Sequence, residues 1–355
     1  MRVVVVGAGV LGAALARTLA QQNHEVALVE QFDVGDPRAA SHACTRILRL
    51  AHGEDVADTR SAWLARRLWK ELEHESGRSL FAEVGMAWLA GQEVSWEAAG
   101  AAVLKSQGIE VARLSPAEAG RMLPGLLEDD LDHVLFEPQA GLLRAAEALQ
   151  ALVASAVEAG ASVVRGRASP DGSLVLVDDR RLEAERIVWA CGAWTPSLFP
   201  ELVRGSVIQQ DVCYFEVGDE LSSPPAPAWG EWSRSATGSG DLGRFGFKVG
   251  LDRSGPSIDL DAPVRTPVAE HESDVRTYLA HRFPRLTDAP LIRTETCQTV
   301  ALDPGVSAAA MLGGEVRLLR HPDYERVWLL GDGSGHAFKH APAIAADAAT
   351  MLTSA

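Results

Sequence analysis

The sequence predicts an α/β protein in which a Rossmann-like dinucleotide-binding domain is interleaved with a sheet-rich α+β domain. Three observations carry that prediction. The chain opens on Arg2-Val-Val-Val-Val-Gly7-Ala8-Gly9-Val10-Leu11-Gly12, an apolar run entering a Gly-x-Gly-x-x-Gly turn. A second apolar run, Val26–Glu30, ends on an acid about 18 residues after the last of those glycines. Far along the chain a second apolar run meets a second glycine cluster, Val327 to Lys339, ahead of an Ala-rich helix.

Each element follows from local pattern. Val3–Val6 is a β-rich run with no polar face, as expected of a central parallel strand. Leu11, Leu15 and Leu19 recur every four residues and give the next helix one apolar face. Val26–Glu30 completes a βαβ unit. Asp55–Glu73 reads as a helix with Leu64, Leu68 and Leu72 on one stripe and Trp69 beside them. Residues 80–140 change character, with short runs such as Met86–Ala90 and one Ala-rich helix near 96–107. Ala145–Gly160 is again helical, Ser162–Val164 and Leu174–Val177 read as strands, and Arg186–Ala190 is a strand ending in Cys191-Gly192-Ala193-Trp194. Residues 206–300 hold β-like runs (Val212–Val217, Phe245–Val249) and the Pro/Ser/Trp-rich stretch Ser222–Ser235. The expected division assigns 1–79, 141–205 and 301–355 to the dinucleotide domain, and 80–140 and 206–300 to the other.

Composition bounds the partners. With 355 residues, 47% hydrophobic and 23% charged, the chain has the make-up of a soluble globular protein with a large core. A net charge of −15 argues against nucleic acid or an anionic membrane as the main partner. Met1-Arg2 runs directly into the first strand, which leaves no room for a signal peptide, and no apolar stretch approaches the ~20 residues that span a bilayer. Cys44, Cys191, Cys213 and Cys297 lack metal-ligand spacing, so no metal is expected. The expected compartment is the cytoplasm, with reduced thiols.

The first glycine turn points to a dinucleotide. Gly7 permits the tight turn, Gly9 lets a diphosphate approach the backbone, and Gly12 lets helix and strand pack closely. Glu30 suits the adenosine ribose hydroxyls; it disfavours NADP and leaves NAD and FAD open. The segment Gly331-Asp332-Gly333-Ser334-Gly335-His336-Ala337-Phe338-Lys339 suggests FAD, with the redox ring against a helix start and two basic residues. Arg46 and Arg49 stand three apart, which on a helical turn would place them on one face.

These motifs together resemble the monomeric sarcosine oxidase branch of the D-amino-acid-oxidase-like flavoproteins, with N-methyltryptophan oxidase and pipecolate oxidase as relatives. The resemblance rests on GAGVLG at 7–12, TRILRLAHGE at 45–54, CGAW at 191–194, GFKVG at 246–250, Cys297, and GDGSGHAFK at 331–339. It implies a GR2-type FAD-binding domain and a substrate domain on a large mixed sheet. It implies that Arg49 and Lys339 clamp a substrate carboxylate and that Arg46 lies close to the flavin. Lys248 matches a lysine that serves oxygen activation, His336 a histidine near flavin and substrate, and Cys297 a cysteine that forms a thioether to the flavin. The cofactor-binding set it implies is Gly7, Gly9, Val10, Leu11, Gly12, Glu30, Gln31, Ser41, Thr45, Arg46, Cys191, Gly192, Trp194, Cys297, Gly331, Gly333, Gly335, His336, Phe338 and Lys339.

The implied activity is FAD-dependent oxidation of a secondary or N-methylated amino acid, with O2 reduced to H2O2, in a monomer or small homo-oligomer. The open alternatives are a dehydrogenase using another electron acceptor, a primary or cyclic amino-acid oxidase, an NAD-dependent dehydrogenase, and a noncatalytic flavin-binding protein. The chain departs from the branch in three places. Cys297-Gln298-Thr299 lacks the aromatic that usually follows the linking cysteine, and Leu251-Asp252 stands where sarcosine oxidase carries a histidine. The Trp229 and Trp232 region has no clear counterpart and is expected to line a pocket for a bulkier substrate. Glu54, Asp252, His52 and His340 are read as structural or solvated.

Overall fold

The computed structural model describes residues 1–91, 96–172, 174–178, 180–222, 225–253, 255–262, 265–302, 317–331 and 336–354. A six-stranded sheet runs in the order Leu318–Arg320, Val327–Leu330, Arg186–Trp189, Arg2–Val6, Glu25–Glu30, Ser162–Arg165. All its pairings are parallel except the one at the Leu318–Arg320 edge. Val3 and Val5 face the helices, while Val4 and Val6 face a cluster with Val175, Val177 and Phe199. The central strand is therefore buried on both faces, which explains its unbroken valine run. The helix Val10–Gln21 packs between the helices Ala145–Glu158 and Ala337–Ser354, with Leu15 and Leu19 fully buried. Among the described residues, no helix is long and apolar enough to cross a membrane.

The helix Val56–Ser76 starts on Asp55, whose carboxylate accepts the Asp58 N–H at 2.7 Å, and stops at the left-handed Gly77. Its buried stripe differs from the leucine stripe the spacing suggests. Ala62, Ala65, Trp69 and Leu72 face inward, and Leu64 and Leu68 are only part-buried. Trp69 sets that rotation. Its ring stacks on Phe338, 6.0 Å between centroids, and its indole N–H donates to the Lys339 carbonyl at 2.9 Å.

A second, eight-stranded sheet runs in the order Leu291–Leu302, Gly205–Phe215, Phe247–Leu251, Ala236–Ser239, Ala228–Glu231, Met86–Ala90, His133–Glu137, Ala112–Leu114. It is mixed, because Ala228–Glu231 and Met86–Ala90 pair in parallel. The Pro/Ser/Trp-rich stretch thus contributes a central strand. Gly230 permits this: a Cβ there would lie 2.6 Å from the facing Trp88 ring. Trp229 points the other way, fully buried and stacked on Tyr278 at 5.6 Å, so its expected place in a substrate pocket is corrected to the core.

A small sheet of Thr45–Leu48, Gly141–Arg144 and Phe81–Ala82 lies between the larger two along the chain. Pairing with Gly141–Arg144 makes Thr45–Leu48 extended instead of helical. Arg46 therefore lies in an extended strand and Arg49 one residue beyond its end, so the helical turn that would place them on one face does not form.

Behind the eight-stranded sheet, Arg282 is 1% exposed and donates to both oxygens of buried Glu231, at 3.0 and 2.7 Å, and to Asp130 at 2.7 Å. Tyr278 donates to the same Glu231 carboxylate at 2.8 Å. Removing one member strands a buried charge. Arg282→Met is expected to lower stability by about 3–5 kcal/mol in urea unfolding; an unchanged midpoint would rule out that structural role.

Candidate active site

The first glycine turn is shaped by contacts that exclude side chains. Gly7 has φ +99°, and a Cβ at Gly12 would lie 1.9 Å from the Gly7 carbonyl oxygen. The turn delivers the start of the helix Val10–Gln21, where the Ser41 hydroxyl accepts the Val10 N–H at 2.9 Å. Glu30 closes the other side, its two oxygens accepting the Ala8 and Phe32 N–H groups at 2.8 and 2.9 Å.

One elongated cleft begins here and reaches the second glycine segment. Of the expected cofactor residues, Gly7, Gly9, Val10, Leu11, Glu30, Gln31, Ser41, Arg46, Cys191, Gly192, Trp194, Cys297, Gly331 and Phe338 line it. Gly12 acts behind the turn. Thr45, His336 and Lys339 are not on the lining, and Gly333 and Gly335 lie outside the described residues. Sequence reasoning missed Phe32, which lines the cleft 6.0 Å from Trp194 and carries the Arg38 guanidinium 3.6 Å above its ring. An aromatic two residues after the ribose-binding acid was the available signal. A glycine turn, an acid and a helix start at one end, joined by a continuous cleft to a second helix start, fit an extended dinucleotide.

Two groups of cations flank the cleft. In the first, Lys248 is buried on the strand Phe247–Leu251 and donates to the Thr45 carbonyl at 2.7 Å. Burial, reinforced by the nearby Arg46 charge, pushes its pKa down to about 8. Arg46 donates to the Ala40 carbonyl at 2.8 Å, and both its terminal nitrogens lie 3.9 Å from Cys297 Sγ. Glu295, two residues before that cysteine, accepts the Tyr214 hydroxyl at 2.6 Å and the Cys44 N–H at 3.1 Å. Burial and the adjacent Glu295 push the Cys44 thiol up to about 12, so it stays protonated.

The second group gathers Arg49, Lys339 and His336. Arg49 donates to the Ala51 carbonyl at 2.7 Å and sits 5.5 and 5.6 Å from the Trp88 and Trp96 rings. Its loop is held by Glu137, a fully buried carboxylate that accepts the Leu50 and Ala51 N–H groups and the Trp88 indole N–H, at 2.6, 3.2 and 2.6 Å. Lys339 is buried on the first turn of the helix Ala337–Ser354 and donates to the His336 carbonyl at 3.4 Å. Desolvation by the surrounding protein, then the charges of Lys339, Arg49 and Arg317, hold the His336 pKa below the usual imidazole value, although the residue is exposed. It is neutral at physiological pH.

His52 and His340 are buried beside this group with ring centroids 5.2 Å apart. With Asp58 they bring ligand-type atoms within 4.8 Å of one another. Arg317 pairs with Asp58, and the charges of Lys339 and Arg49 act on both imidazoles, a field that opposes a bound metal cation. Asp252 accepts from Gln210 at 3.0 Å in an exposed position, away from both groups.

The fold and the cleft define a dinucleotide-dependent flavoprotein. Residues 2–351 match the family described as FAD dependent oxidoreductase, and the chain belongs to that family. It is similar to the monomeric sarcosine oxidase of Bacillus sp. (strain B-0618), at 27% identity covering 95% of this chain and 88% of the relative. It is also similar to the N-methyl-L-tryptophan oxidase of Yersinia pestis (strain Pestoides F), at 24% identity covering 96% and 92%. Among solved structures, the L-proline dehydrogenase of P. horikoshii shares the fold with a TM-score of 0.84 over 99% of this chain and 93% of that one, at 20% identity. The cofactor is FAD, and the protein is an FAD-dependent oxidoreductase.

Glu30→Ala removes the acceptor for two N–H groups of the turn. The purified variant is expected to carry markedly less flavin, with affinity lower by about tenfold, the cost of a charged hydrogen bond. A wild-type flavin-to-protein absorbance ratio would contradict that role.

Proposed function

We propose that the chain oxidises a secondary or N-methylated amino acid at the carbon beside its nitrogen, with O2 as the electron acceptor. The observation that carries this reading is the convergence of Arg49 and Lys339 on His336, with Phe338, next to Lys339, lining the cofactor cleft. Two cations from distant parts of the chain suit a carboxylate that must be both bound and oriented.

FAD held along this cleft would supply two-electron oxidation of the amine to an imine, with O2 as terminal acceptor and H2O2 as its product, and the imine would hydrolyse in water. The chain's own residues select and place the substrate. Arg49 and Lys339 hold the carboxylate. Their charges, with that of Arg317, disfavour an ammonium at the neighbouring nitrogen, so the neutral amine is the form that binds productively. Neutral His336 adds no further positive charge. Lys248, charged below about pH 8, stabilises the negative charge that develops on oxygen. Arg46 lies 3.9 Å from Cys297 Sγ beside the cleft, and we assign Cys297 as the point of a thioether to FAD.

Three outcomes follow. Arg49→Ala should weaken binding of a carboxylate inhibitor by about 2–5 kcal/mol, and unchanged affinity would remove the clamp. Lys248→Met should slow the reaction of the reduced enzyme with O2 while sparing anaerobic reduction by amine. In the wild type the oxygen rate should fall as pH rises through about 8, because Lys248 sheds its proton there; a rate flat across that range would exclude a role for this charge. Yellow colour should stay in an acid-precipitated, washed pellet, and colour released to the supernatant would exclude the thioether.

A further inference from the structure

We propose that the site is built for amino acids with an aromatic or other flat apolar side chain, received on Trp96 and Trp232 beside Arg49, with the buried Trp88 backing them. The inference rests on the reading of Arg49 as the carboxylate anchor. Trp96 and Trp232 stack in parallel, 4.4 Å between centroids and 7° between planes, and Trp88 meets Trp96 at 4.5 Å with a 57° tilt. The Arg49 guanidinium lies 5.5 Å from the Trp88 ring and 5.6 Å from the Trp96 ring. The anchor for the charge and the aromatic surface therefore share one wall.

The wall is assembled with care for space. Gly53 has φ +59°, and a Cβ there would stand 2.7 Å from the Trp96 indole nitrogen. Gly100, one turn into the helix Trp96–Ser106, packs on Ala51 and Gly53, where its own Cβ would meet the Ala51 Cβ at 3.3 Å. Gly230 clears the room that Trp88 occupies, 2.6 Å from its would-be Cβ. Glycines on three segments thus let indoles lie flat against the loop that follows Arg49. A single exposed indole is ordinary on a protein surface. Trp232, 51% exposed, instead ends a continuous array of rings that begins at the substrate anchor.

Charge narrows the class of side chain. Indole faces also attract cations, but the Arg49 guanidinium already lies within 5.6 Å of the Trp88 and Trp96 rings and repels a basic side chain. A substrate held by its carboxylate on Arg49 carries its α-substituent within the about 4.5–7 Å over which aromatic rings interact. A glycine-derived substrate leaves that surface in water.

The test uses the FAD-loaded enzyme and carboxylates that cannot be turned over, titrated calorimetrically: acetate and indole-3-acetate. Indole-3-acetate is expected to bind at least about tenfold more tightly than acetate. Trp232→Ala should reduce that advantage to roughly threefold or less while leaving acetate affinity unchanged, and Trp232→Phe should restore most of it. The matching kinetic result is a kcat/KM ratio of N-methyl-L-phenylalanine to N-methylglycine that falls in Trp232→Ala. Equal affinity for the two carboxylates, or an advantage untouched by both Trp232→Ala and Trp96→Leu, overturns the aromatic wall. Acetate affinity that survives Arg49→Ala instead overturns the anchor on which the proposal stands, so the two failures are separable.

Discussion

The site depends on keeping buried positive charge unneutralised. Arg46, Arg49 and Lys248 are satisfied by the carbonyls of Ala40, Ala51 and Thr45, and among the described residues none of them forms an ion pair. A carbonyl meets the hydrogen-bonding need of a cation without cancelling its charge; a carboxylate would do both. The molecule as a whole carries a net charge of −15, so acidic side chains are plentiful. Those close to the site act on its cations only from a distance, while their oxygens accept from other groups: Glu137 from backbone N–H groups and Trp88, Glu295 from Tyr214 and the Cys44 backbone. The positive field left over is available to an anionic ligand and to a flavin that gains electrons.

The short strand Thr45–Leu48 distributes that field. Because it pairs with Gly141–Arg144, it is extended, and Arg46 within it and Arg49 one residue beyond its end enter different groups. Arg46 joins Cys297 and Lys248, and Arg49 joins His336 and Lys339. The Thr45 carbonyl in the same strand also holds Lys248, which comes from the eight-stranded sheet. Four residues of backbone thus align groups contributed by both large sheets.

Much of the cofactor end was legible because its logic is local. The valine run, the glycine turn and Glu30 lie within thirty residues, and the spacing alone states what they do. Elsewhere the decisive contacts cross long distances in sequence. Lys248 and Thr45 are separated by 203 residues, and no periodicity connects them; the resemblance to a known branch did. The leucine stripe of Val56–Ser76 misled for a similar reason, since the helix is oriented by Trp69 reaching Phe338 and Lys339. Trp229 and Trp232 looked like one feature in sequence. Three residues apart across a strand end, one became core and the other surface.

The link between Trp69 and the helix Ala337–Ser354 also bears on how the protein is made. The glycine turn draws on the earliest residues, but Gly331, Ala337 and Phe338 line the far end of the same cleft. A ribosome-bound chain therefore holds the glycine turn long before the residues that line the far end of the cleft have been made.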